Sequence, residues 1–104
     1  MAKYKVEQFS SAIKNNKNGK PNLFILCKLL NSSNNPATRE YQISPDERFP
    51  DLAELNALVT GGFDQAKTTG AKVEISEYKE RFYLFLTLPG VNDGQSIQVS
   101  GSQV

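Results

Sequence analysis

The chain has 104 residues, with 12 Lys and Arg against 11 Asp and Glu, one cysteine and no histidine. That length supports one domain, 1–104, built round one core. A lone cysteine excludes an internal disulfide and a cysteine metal cluster. The absence of histidine removes the commonest general base and metal ligand, so no catalytic residue, metal or cofactor is assigned and no enzyme is expected.

The near-neutral total hides an asymmetry. Residues 1–30 carry six lysines against Glu7 alone, whereas 31–70 hold three cations against six carboxylates. A one-sided field attracts polyanions even when the net charge is small, and a solvated basic edge is the plainer alternative. The run FILCKLL is broken by Lys28, and MAKYKVEQF has no apolar signal core. No stretch reaches the roughly 20 apolar residues of a membrane helix, so a cytoplasmic protein without a membrane partner is expected, in the host cytoplasm if it is viral.

In chain order, Tyr4 and Val6 alternate with Lys3, Lys5 and Glu7, the period of a half-exposed strand. Phe9 and Ile13 break the phase, and a bulge or strong bend near Phe9 restores a common buried face. Asn18-Gly19 then predicts a tight hairpin turn, because both residues tolerate positive φ, with Pro21 delaying the next ladder bond. NLFILCKLL is a central strand: Leu23, Ile25, Cys27 and Leu29 point one way, Phe24, Leu26 and Lys28 the other. Cys27 in such a run is packing material rather than a reactive thiol.

NSSNNPAT, 31–38, is loop material, and REYQIS resumes a strand with Tyr41 and Ile43 on one side. Pro50 and Asp51 open the clearest helix, which carries Leu52, Leu55, Leu58 and Val59 and ends at Gly61. FDQAKTTG, 63–70, is a helical turn or a loop. AKVEISEYKERFYLFLTLPG supplies two strands joined near Tyr78–Glu80, the second with Phe82, Leu84, Leu86 and Leu88 on one face and Tyr83 and Phe85 on the other. Pro89 and Gly90 stop it. Residues 91–104 are either a short final strand around Ile97 and Val99 or a loose C-terminal segment.

This order predicts a mainly β protein: a small five-stranded antiparallel barrel of OB-fold type, with one helix between strands 3 and 4. An open sheet under the helix is the competing architecture. NGKP at 18–21 and AKVEISEYKERFYLFL at 71–86 resemble the small single-stranded DNA-binding proteins of bacteriophages, including the filamentous-phage type. The resemblance implies sequence-nonspecific binding of single-stranded DNA in phage or mobile-element replication. This chain departs from the cellular type in that GQSIQVSGSQV has no carboxylate side chain, so recruitment of repair proteins through an acidic tail is not implied.

Single-strand binding needs cations for phosphates and aromatic faces for bases. Lys3, Lys5, Lys14, Lys17, Lys20 and Lys28 are the phosphate candidates. Tyr41, Tyr78 and Tyr83 are the preferred base platforms, because a tyrosine keeps its hydroxyl wet while offering a π-face. Arg81 either reaches phosphate or pairs with Glu80 or Glu77. Phe24 and Phe85 are read as core before ligand contacts. So few phosphate contacts imply a shallow salt dependence and modest affinity per chain, favouring a homodimer or cooperative array. The alternative is a protein-interaction module, a phage or host regulatory or inhibitory protein, that binds a polypeptide through a strand edge or the 31–38 loop.

Overall fold

A computed structural model of the protein describes residues 2–69, 73–87 and 96–104. The first apolar alternation becomes one long strand, β1 (Ala2–Asn15), that serves two neighbours. Its first residues pair with β4 (Glu74–Tyr78), from Ala2 opposite Glu77 to Lys5 opposite Glu74. From Lys5 onward it pairs with β2 (Pro21–Leu30). The register shifts between Val6 and Gln8, so the expected bulge falls on Glu7, two residues earlier than Phe9. The extra residue resets the phase, and Tyr4, Val6 and Phe9 all pack against the core.

Two loops of the same construction join the first three strands. In the first, the Asn16 carboxamide oxygen accepts from the amides of Asn18 and Lys20, at 2.9 and 3.1 Å. In the second, Asn31 does the same for Ser33 and Asn35, each at 2.9 Å. Both loops place the third residue after that asparagine in the left-handed region, Gly19 at φ 77° and Asn34 at φ 61°. The first loop is therefore a three-residue connection with one positive φ, not the two-residue Asn18-Gly19 turn expected from the sequence. The second closes quickly enough for β3 (Pro36–Ile43) to begin three residues before Arg39, with Pro36 at a first-strand position that needs no amide.

The helix α1 spans Leu52–Thr69 and runs through Gly61 and Gly62, where the sequence predicts its end. Asp51 caps it, its carboxylate accepting from the Ala53 amide at 2.9 Å. The extension has a packing cause. Phe63 is buried and stacks on Phe9 with centroids 3.6 Å apart, and Ala66 packs against the same core. Burial of that stripe outweighs the weak helix propensity of two glycines, roughly 1 kcal/mol each.

Residues assigned to either a short strand or a loose tail contain an eight-residue strand, β6 (Ser96–Gln103). It lies between β3 and β5 (Arg81–Thr87), so the expected five strands are six and the sheet closes in the order β1-β2-β3-β6-β5-β4. Every pairing is antiparallel, and the pairing of β1 with β4 closes the sheet on itself, which rules out the open-sheet alternative. The strands are strongly staggered. The row of partners leaving Ala12 passes Phe24, Gln42, Ser102 and Arg81 to Tyr78, whose neighbour Glu77 faces Ala2 rather than Ala12. Leu88, the Pro89–Gly90 break, Gly70 and Lys72 lie outside the described residues.

The core inside this barrel joins Leu23, Ile25, Cys27 and Leu29 of β2 to Tyr41, Ile75, Phe82, Leu84 and Val99, and Leu55, Val59 and Phe63 add α1, which packs against β1, β2 and β5. Closure of β6 on β3 requires Gly101: a Cβ there would meet the Gln42 carbonyl oxygen and the Phe82 ring. Gly101→Ala is expected to destabilise the barrel by about 1–3 kcal/mol, read as a lower urea midpoint. A midpoint equal to the parent's would show that β6 can move away from Gln42 without cost.

Candidate nucleic-acid interface

Alternation along β4, β5 and β6 sends Ile75, Glu77, Phe82, Leu84, Val99 and Gly101 inward. The opposite parity forms an outer wall, which carries Tyr78, Arg81, Tyr83 and Phe85 amid Ser76, Gln98, Ser100 and Ser102. Tyr78 and Phe85 are 50% and 57% exposed. Glu74 is the one carboxylate among the described outward residues of these strands, and it stands opposite Lys5 on β1. Lys3 faces Ser76, which faces Tyr83, so an ammonium and a phenol flank one serine in a single cross-strand row.

Of the residues singled out from sequence, Lys3, Tyr78, Arg81 and Tyr83 meet on this wall. Arg81 is exposed and forms no ion pair among the described residues, with Glu80 or with Glu77. Lys5 lies at the margin, 3.4 Å from Glu7 in an exposed pair of little energetic weight. Arg48, which pattern reading passed over because it sits in a crossing segment without periodicity, donates to the Gln98 carbonyl at 3.1 Å. It brings a guanidinium to the edge of β6. Phe85, read as core, is the most exposed aromatic among the described residues.

The hairpin lysines form a second group. Lys17 and Lys20 are exposed at the 16–20 loop and make no ion pair among the described residues. Lys14 reaches back over the Phe24 ring at 4.6 Å and lies 3.6 Å from Glu40, so its charge is partly answered. Lys14, Lys17, Phe24 and Gln42 border an open groove of about 480 Å³. Gln42 is the cross-strand partner of Ser102, and Ser102 of Arg81, so one continuous row joins this groove to the aromatic wall. Lys28 stands apart, on the outward face of β2 beside the exposed Leu26 and opposite Thr38.

Tyr41 corrects the sequence reading. It is fully buried, its ring 4.3 Å from Phe82, and its hydroxyl donates to Glu77 Oε2 at 2.9 Å. Arg39 Nε lies 3.6 Å from the same oxygen. Tyr41 shares the parity of Ile43, so it goes inside, and no base can reach its face. Burial, reinforced by the Glu77 carboxylate, pushes its hydroxyl well above the ordinary tyrosine range. Burial alone raises the Cys27 thiol from 9.0 to about 12. The role of this group is therefore structural: it satisfies a buried carboxylate inside the barrel.

No three residues of metal-ligating type gather among the described residues, and none of their helices is long and apolar enough to cross a membrane. The architecture is a small closed antiparallel β-barrel with a single helix among the described residues. The chain matches no protein-family model, no curated protein and no solved structure.

Both raised acids bind protons more tightly folded than unfolded, so their stabilisation is full below the unfolded pKa and is lost as pH rises toward the folded one. For Cys27 that window runs from 9.0 to about 12. Urea midpoints at pH 8 and pH 11 should fall more for the parent than for Cys27→Ala, the difference amounting to roughly 1–3 kcal/mol. Equal falls would mean that the thiol ionises in place without resisting.

Proposed function

We propose that this protein binds single-stranded DNA without sequence preference, in the manner of the small proteins that coat strands during phage or mobile-element replication, using an OB-like barrel. The observation that carries the reading is the outer wall of β4, β5 and β6, where three exposed or half-exposed rings share a surface with Arg81 and Lys3 and, among the described outward residues, only one carboxylate. Bases stack on aromatic faces at roughly 1–3 kcal/mol each whatever their identity, and cations beside the rings hold the backbone. The hairpin lysines extend the phosphate path along the row through Gln42 and Ser102. With Lys5 and Lys14 partly neutralised, few cations remain per chain. Binding is then modest and depends shallowly on salt, with a slope of about −0.7 per contact, and a dimer or array on one strand gives the useful affinity.

A second reading has its own observation: Leu26 and Phe85 are large apolar side chains, 46% and 57% exposed, of the kind a partner polypeptide covers. A nuclease-resistant, stoichiometric protein partner in a pulldown would favour it.

Fluorescence anisotropy with labelled oligo(dT) at low and high salt tests the leading reading. The parent should bind at micromolar concentration in low salt. Lys17→Glu with Lys20→Glu should weaken binding several-fold with an unchanged melting curve, since the loop is held by Asn16 and not by its lysines. Equal binding by variant and parent would remove the hairpin from the interface.

A further inference from the structure

We infer that the cleft between Tyr83 and Phe85 takes one planar base of a single strand, inserted between the two rings. The inference rests on the single-strand reading and adds where a base sits and what holds it.

Tyr83 and Phe85 stand two residues apart on the outward face of β5. Two steps along a strand cover about 6.7 Å. That is roughly twice the 3.4 Å spacing of stacked bases, the separation at which one flat heterocycle fills the gap and touches a ring on each side. The two rings do not stack on each other; the ring pairs among the described residues are Phe9 with Phe63 and Tyr41 with Phe82. Both rings line an open cleft of about 380 Å³, together with Lys3, Ser76 and Gln98.

Each wall of this cleft has a matching part on a nucleotide. Ser76 is the cross-strand partner of Tyr83, and Gln98 of Phe85, so a hydroxyl and a carboxamide flank the rings from the two neighbouring strands. Lys3 faces Ser76 and offers an ammonium for a phosphate. A carboxamide both donates and accepts, and a hydroxyl rotates to do either, so the edge of any base finds a partner there. That permissiveness suits binding without sequence preference. A base in a duplex already has its faces and edge occupied, so entry requires unpairing it at a cost of a few kcal/mol. The cleft therefore selects single strands by geometry.

The test uses the full chain and a labelled oligo(dT) read by anisotropy, with circular-dichroism melts confirming that the variants are folded. Tyr83→Leu and Phe85→Leu should each weaken binding roughly 5- to 100-fold. The double variant should be scarcely weaker than either single one, because removing one ring already releases the base. Losses that multiply would put two bases on independent seats and overturn the sandwich. Unchanged affinity in both single variants would overturn the cleft while leaving strand binding intact, and no binding by the parent would overturn both readings.

Two further arms work on the ligand instead of the protein. An abasic oligomer of equal length should bind the parent less well than oligo(dT), and the leucine variants should narrow that gap; an unchanged gap would count against the cleft. Thymidine monophosphate should displace the oligomer only at far higher concentration. Displacement at equal base concentration would make this a free-nucleotide site and overturn the strand assignment.

Discussion

The bulge at Glu7 is the constraint on which the molecule depends. Without an extra residue there, β1 could not present a continuous buried face to the core while pairing with β4 through its first residues and with β2 through the remainder. Sharing one strand between two neighbours is what allows a small sheet to curl fully and close. Closure then decides parity everywhere else. Once Ile75 and Leu84 are fixed inside, Ser76, Tyr83 and Phe85 must stand outside, and the aromatic wall follows from the packing of the core behind it.

Much of this was legible in the sequence, for a definable reason. A period of two in 3–6, 23–29 and 73–76 arises because one face of a strand is apolar and the other wet, and those strands lie where that pattern puts them. Pattern reading failed where tertiary contacts outvoted local preference. Gly61 and Gly62 read as a helix end, yet Phe63 needed its place against Phe9, and the helix continues. Ile97 and Val99 were too few to separate a strand from a tail, because β6 owes its existence to two long-range partners, β3 and β5.

The site was legible to a smaller degree. Tyr78, Arg81 and Tyr83 do share a surface with Lys3, but Tyr41 is the lid of a buried carboxylate. Its parity with Ile43 was the available signal. Glu77 shows the limit from the other side: a glutamate flanked by Ser76 and Tyr78 reads as exposed, and only the partners Tyr41 and Arg39 explain its burial. Phe85 defied its apolar neighbourhood because residues 81–85 alternate between core and solvent whatever their hydrophobicity. Lysine clustering in sequence likewise overstated the free charge, since Glu7, two residues along the same strand, approaches Lys5 and Glu40 of β3 approaches Lys14.

The hairpin loop also bears on how the chain ages. Asparagine followed by glycine is the dipeptide most prone to lose its amide nitrogen, through attack of the glycine nitrogen on the asparagine side chain to form a succinimide. At Asn18 that glycine nitrogen is occupied, since Gly19 donates to the Asn16 carbonyl oxygen at 3.0 Å. Conversion to aspartate is therefore expected to follow unfolding rather than time in the native state; the same asparagine that shapes the turn would preserve the basic character of the tip. Aspartate accumulating at position 18 in a fully folded sample would contradict this protection.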